Sequence, residues 1–364
     1  MQSSLISQIE VVLGCWPDPY LGKDWLTAEC VRRIHVDQGV LTLEVELGYP
    51  VAGCREEMEA GVKGHLQAAF PQLERIHVTI TSRIAAHAIA GKAVPMRRVS
   101  NMIAVASGKG GVGKSTTAVN LALALTAEGA RVGLLDADIY GPSIPQLMGL
   151  PVDSRPETRD QKYFVPLTAY GVQLMSMGVL VTEDTPMVWR GPMASGALQQ
   201  LLNQTLWEDL DYLIVDMPPG TGDIQLTLSQ SCPLTGAVIV TTPQDIALLD
   251  AKKGIEMFRK VNIPVLGVIE NMSQHICSSC GHMEPIFGTG GGEQIASAYN
   301  TTFLGALPLD IRIREQSDAG KPVVIAEPAG KLAALYREMA RQLAANLSLQ
   351  PIGSAIPNVV RMSD

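Results

Sequence analysis

Gly108-Lys109-Gly110-Gly111-Val112-Gly113-Lys114-Ser115-Thr116 is the stretch that decides the fold of this chain. It contains the pattern G-x-x-x-x-G-K-[ST], follows the apolar run 102–106, and opens a helical stretch carrying Leu121, Leu123 and Leu125. Strand, glycine-rich loop and helix start, in that order, form a cradle for phosphate. The glycines let backbone N–H groups curl around phosphate oxygens at a helix N-terminus, Lys114 supplies charge at the β and γ phosphates, and Ser115 is placed to ligate magnesium. A plain glycine-rich turn is the alternative, and the agreement of motif with context argues against it.

Around this loop, apolar runs alternate with stretches long enough to hold a helix: 102–106, 132–135, 212–215, 237–240 and 265–269. They are short and rich in Val and Ile, the form of strands in a parallel sheet covered on both faces. The expected fold class is therefore α/β, a parallel-sheet P-loop NTPase domain over residues 101–349. Residues 1–90 read as a small N-terminal α/β domain, with strands near 40–47 and 76–80. Between those strands, Met58, Val62, Leu66 and Ala69 recur at helical spacing on one apolar face. Residues 91–100, around Pro95, read as a linker, and 350–364, with Pro351, Gly353 and Pro357 and no periodicity, as a mobile tail.

With 364 residues the chain suits a main domain plus a smaller one, and 46% apolar against 18% charged residues describes a globular protein. Its net charge of -8, without a basic cluster, argues against nucleic-acid partners. No apolar run approaches the roughly 20 residues that cross a bilayer, and the start lacks a signal pattern, so the expectation is a cytoplasmic protein with no membrane partner. Cys15, Cys30, Cys54, Cys232, Cys277 and Cys280 then read as thiols or metal ligands rather than disulfides.

Carboxylates end two of the strand-like runs. Asp136 and Asp138 follow one, where a parallel sheet opens its ligand crevice, and Asp216 follows 212–215 in the manner of a Walker B segment. Each is also a turn former, which leaves a capping role open. The stretch after Asp216, through Gly220 to Asp223, passes from stiff to flexible and suits a switch sensing the γ phosphate. Asn271 closes the run 265–269; an amide there suits an adenine edge, and a helix cap is the competing reading. Beyond it lies Cys277-Ser278-Ser279-Cys280, a C-x-x-C that presents two thiolates on one tight turn and suits zinc or an iron-sulfur cluster. His275 and His282 are the histidines near enough in sequence to complete a zinc site, whereas pairing two chains gives four thiolates.

The second loop lysine, Lys109, with Gly110-Gly111 behind it, resembles the deviant Walker A signature of the MinD, ParA and nitrogenase iron protein superclass. That resemblance implies an ATP-bound homodimer in which Lys109 reaches the facing subunit's nucleotide, Asp138 positions the attacking water, Asp136 supports the metal and Asn271 meets the base. With the C-x-x-C, the chain resembles the Mrp/ApbC family of iron-sulfur cluster carriers. Further matching stretches are 138–143, Trp189-Arg190-Gly191-Pro192-Met193, 216–223 and Thr242-Pro243-Gln244-Asp245. This implies ATP, magnesium and a 4Fe-4S cluster bridged by Cys277 and Cys280 of two subunits. The partners implied are a cluster assembly scaffold and apo iron-sulfur proteins. Residues 8–85 resemble the MIP18-like domain through Asp18-Pro19-Tyr20-Leu21-Gly22-Lys23-Asp24, with Cys54 displaced from that family's usual cysteine position and expected as a buried thiol.

Two other functions compete. A MinD- or ParA-like organiser calls for a basic amphipathic helix or a DNA face, while Leu332, Leu335, Tyr336, Met339, Leu343 and Leu347 read as a packing helix. A redox enzyme of the nitrogenase iron protein kind uses separated cysteines, unlike this adjacent pair.

Overall fold

The computed structural model describes residues 2–89, 94–139, 141–151, 153–179, 191–277 and 279–353. Tyr140, Trp189, Arg190, Ser278, part of the expected linker and the tail beyond Gly353 lie outside the described residues.

The small N-terminal unit runs α1 (Gln2–Gly14), β1 (Val31–Asp37), β2 (Val40–Leu47), α2 (Arg55–Ala69) and β3 (Arg75–Ser82). Strand β2 is central, antiparallel to β1 and parallel to β3, with α2 as the crossover. Helix α2 buries Met58, Val62 and Leu66 as the spacing predicts, but Ala69 is exposed and Phe70 takes the buried place at the helix end. The sequence reading missed β1, because Val31–Asp37 is half exposed and carries two arginines, so it shows no apolar run.

The large unit begins with β4 (Val99–Ala106), α3 (Lys114–Ala127), β5 (Val132–Asp136) and the short α4 (Ile144–Leu147). A small hairpin of β6 (Thr158–Arg159) and β7 (Tyr163–Phe164) follows, then β8 (Leu167–Ala169), β9 (Val172–Ser176), α5 (Gly191–Gln204), β10 (Leu210–Asp216) and α6 (Asp223–Ser231). The chain continues through β11 (Gly236–Thr241), α7 (Asp245–Lys260), β12 (Val265–Glu270) and the hairpin β13 (His275–Ile276) and β14 (Met283–Glu284). It ends with α8 (Gly291–Ala298), β15 (Phe303–Ala306), α9 (Ile311–Asp318), α10 (Val323–Ala326) and α11 (Lys331–Ser348).

Eight strands form one sheet in the order β15-β12-β11-β4-β10-β5-β9-β8, parallel except for β8. All five expected apolar runs fall within its strands. The edge strand β15 and the strand β9, next to the edge strand β8, escaped the sequence reading because β15 is four residues long and holds Gly305, while β9 alternates with Gln173. Parallel register aligns Asp216 with Asp136 on one side and with Val105 on the other, so both carboxylates and the loop after β4 share one edge of the sheet. That edge is the crevice of a doubly covered parallel sheet.

The two units share an apolar core, for Leu66 and Tyr49 belong to the same buried cluster as Leu121 and Leu343. At their seam the Glu128 carboxylate accepts from Gly53 N at 2.9 Å and pairs with Arg341 at 3.1 Å, while Glu128 O accepts from Ala52 N at 3.0 Å. Tyr20 Oη donates to Glu338 at 3.0 Å beside them. The chain after Gln350 does not leave the body at once. Ala88 N donates to Pro351 O at 2.8 Å and Gly353 N to Ala86 O at 3.0 Å.

Candidate nucleotide and cysteine site

Strand β4 delivers the chain into the glycine loop, and Ser107 Oγ donates to Lys109 O at 2.8 Å to fold it back. Gly111 and Gly113 both have φ of 81°, in the left-handed region that side chains resist. A Cβ at Gly110 or Gly111 would meet nothing within 4 Å, so these amides border open space. Gly113 is different: a Cβ there would lie 2.2 Å from Asn271 Nδ2. Ser115 and Thr116 occupy the first turn of α3, where unpaired N–H groups and the helix dipole favour an anion.

Lys114 is buried, its ammonium 2.5 Å from Asp216 Oδ1 and 3.8 Å from Asp138 Oδ2. Burial pushes the Asp216 carboxyl above its ordinary range, and Lys114 opposes that push. The other oxygen, Asp216 Oδ2, is buried and has no protein partner among the described residues. A buried acceptor of that kind costs free energy unless something completes it, and Ser115 stands beside it. Glycine cradle, buried ammonium and orphan oxygen fit a nucleotide triphosphate with magnesium.

Asp136 is bound into the loop that follows β5. Its Oδ1 accepts from Asp138 N at 3.1 Å, and its Oδ2 from Ser143 N at 3.0 Å, Ile144 N at 3.1 Å and Ser176 Oγ at 3.1 Å. Full burial, with Asp216 nearby, raises its carboxyl to about 7. Both oxygens are committed to anchoring the loop that carries Asp138, so Asp136 sets that loop's shape. Sequence could not separate these roles, because adjacent strand-end aspartates look alike until their partners are known.

Lys109 lies at the loop surface with Nζ 3.3 Å from Gln244 Oε1. Gln244 precedes α7, and nothing in the sequence marks it as the neighbour of residue 109. Asn271 reaches the same loop from the opposite direction: Nδ2 donates to Val112 O at 2.9 Å, and Oδ1 accepts from Met272 N at 2.9 Å. One N–H and one lone pair of the amide remain. Gln225, on α6 just beyond the switch-like stretch, is buried with neither side-chain polar atom paired among the described residues. No spacing rule singles it out.

Strands β13 and β14 carry the cysteines at their tip, closed by Cys277 N to His282 O and Gly281 N to Cys277 O, both 2.9 Å. Cys277 is half-buried and Cys280 exposed. Backbone N–H groups of Cys280 and Ser279 face the Cys277 sulfur and hold its thiol below the usual range. Ile276, Met283 and Ile286 stand exposed around the pair. Among the described residues no three His, Cys, Asp or Glu side chains gather as a metal group. His275 Nδ1 lies 3.3 Å from Leu309 O. Cys54 is buried with Sγ 3.6 Å from Met58 Sδ.

Fold and site together define a P-loop NTPase with a dithiol hairpin at its surface. The family described as NUBPL iron-transfer P-loop NTPase, of the ParA type, matches residues 98–344, and the family described as iron-sulfur cluster assembly protein matches residues 6–80. The chain belongs to the iron-sulfur cluster carrier family of P-loop NTPases. It is 49% identical over 354 residues to the iron-sulfur cluster carrier protein of Haemophilus influenzae, covering 97% of this chain and 95% of the relative. Identity to the carrier protein of Pseudomonas fragi is 61% over 278 residues, 76% of this chain and 97% of the relative. A nucleotide-binding protein of Archaeoglobus fulgidus, solved with ADP, is 37% identical, with a TM-score of 0.55 over 62% of this chain and 88% of its own. No helix among the described residues is long and apolar enough to cross a membrane.

Proposed function

We propose that this chain is a cytoplasmic ATPase that carries a 4Fe-4S cluster as cargo between two of its subunits and delivers it to apo-proteins. The observation that carries this reading is the hairpin of Cys277 and Cys280, a surface pair with no third ligand gathered beside it among the described residues. Two such hairpins supply the four thiolates a cubane demands. The exposed Ile276, Met283 and Ile286 provide an apolar border for a second copy.

At the nucleotide, the amides of residues 108–113 and the α3 N-terminus hold phosphate oxygens, and Lys114 neutralises the β and γ phosphates. Ser115 and Asp216 hold magnesium, which supplies charge neutralisation at the phosphates when bound. Asp138 orients the attacking water, Lys109 reaches the nucleotide of the facing subunit, and the remaining N–H and lone pair of Asn271 meet adenine. The residues before 91 form a cluster-assembly module packed against the ATPase domain.

Anaerobic reconstitution tests the reading. A dimer is expected to hold about four irons with iron-sulfur absorption, and either Cys277→Ser or Cys280→Ser to lose the iron while ATP binding persists. One tightly held zinc per monomer, sensitive to His275→Ala or His282→Ala, overturns it.

A further inference from the structure

The phosphate loop and the cysteine hairpin are joined by a short covalent and hydrogen-bonded tract. Asn271 Nδ2 holds Val112 O inside the loop, and Asn271 N donates to Thr241 O at 2.8 Å, so the residue is fixed to both the loop and the sheet. Its Oδ1 accepts from Met272 N, and Met272 has a φ of 58°. Ser273 follows, with N and Oγ both donating to Leu307 O at 2.9 and 3.0 Å. Leu309 N donates to Gln274 O at 2.8 Å, and Cys277 lies three residues further on. Between Asn271 and the hairpin the backbone is held at Met272 N, Ser273 N and Gln274 O, and His275 and Ile276 then pair with Glu284 and Met283 in the hairpin itself.

We infer that Asn271 is a positioning residue that transmits the state of the phosphate loop to the Cys277–Cys280 hairpin. The inference rests on the cysteine pair being the cargo site. Phosphate entering the loop engages the amides on either side of Val112 and so reorients its carbonyl. Asn271 follows that carbonyl because its amide is clamped there, and a residue with left-handed backbone at 272 converts the shift into a change of direction at Ser273. The hairpin has no other contact of this kind with the nucleotide loop among the described residues.

Alkylation of the metal-free full chain tests this without requiring a cluster, which separates its failure from failure of the carrier reading. Iodoacetamide labelling of Cys277 and Cys280 is followed by peptide mass spectrometry with and without saturating magnesium-ATP, with exposed Cys15 as the internal reference. The wild-type rate at the pair is expected to change about fivefold, the low end of ordinary coupling between two sites, while Cys15 stays constant. Asn271→Ala at saturating nucleotide should abolish the response. A second variant leaves Asn271 in place: two glycines inserted between Met272 and Ser273 should give the same flat response with nucleotide binding retained, and it decides the matter if Asn271→Ala fails to bind. A wild-type pair indifferent to ATP, or a glycine-insertion variant that keeps the full response, overturns the inference.

Discussion

The ammonium of Lys114 lies 2.5 Å from Asp216, 102 residues later in the chain, and both are buried at the crevice edge of the sheet. In the proposed function the pair holds the lysine for the β and γ phosphates of a nucleotide. Lys114→Ala removes that charge from a reaction that depends on electrostatic stabilisation, and turnover should fall by about 10²–10³-fold. Asp138→Ala should lower hydrolysis while nucleotide still binds. Turnover and fluorescent-nucleotide titration of both variants separate the two effects; undiminished turnover in Lys114→Ala would remove the loop from the mechanism.

The Lys109 ammonium donates to Gln244 at the loop surface, which leaves its other N–H groups for a facing subunit. A mixture of Lys109→Ala and Asp138→Ala chains should therefore regain activity, because one composite site in each heterodimer keeps both side chains. Mass spectrometry confirms the heterodimers. Activity no higher than that of the separate variants would place Lys109 in its own subunit's chemistry.

At the seam between the units, Glu128 has a fully buried side chain and that of Arg341 is 12% exposed, so solvent screens their pairing little. Glu128→Ala leaves the Gly53 N–H unpaired and Arg341 with Glu338 alone, at 3.0 Å, as its carboxylate partner, and unfolding free energy should drop by about 1–3 kcal/mol. Gly53→Ala should also destabilise, because its Cβ would stand 2.6 Å from Glu128 Oε1. Adding Arg341→Met to Glu128→Ala should restore part of the loss. Denaturant melts measure all three, and a Glu128→Ala variant as stable as wild type would show the seam to be loose.

The cysteines should separate by pH. Burial pushes Cys54 and Cys30 up to about 11 and Cys232 up to about 12, whereas turn N–H groups hold Cys277 below the ordinary thiol range. Thiolate is the reactive form, so Cys277 should alkylate at neutral pH and the three buried thiols only in alkali or denaturant. Peptide mapping across a pH series checks the order. Early labelling of Cys54 would contradict its buried setting against Met58 and reopen a role for it.

Local chemistry was legible without coordinates. The order strand, glycine loop and helix at residues 102–125 dictates a phosphate cradle because each part depends on neighbours in the chain. The five apolar runs became sheet strands because a doubly covered sheet needs continuous apolar segments. The C-x-x-C was readable as a tight turn presenting both sulfurs. Short or half-exposed strands such as β1 and β15 were not, since neither buries enough to mark its sequence.

What the amino-acid sequence by itself determined is thus the class of fold and the candidate residues for phosphate and metal. Tertiary structure alone decided how those residues divide the work. Asp136 became the anchor of its loop only when Ser143, Ile144 and Ser176 were brought to its oxygens. Asn271 found Val112 across 159 residues, and Lys109 found Gln244 across 135. Arg341 found Glu128 across 213. Hydrogen bonds and ion pairs over such separations depend on the closure of the whole sheet, and sequence periodicity reports only which face a residue buries, never the partner it meets there.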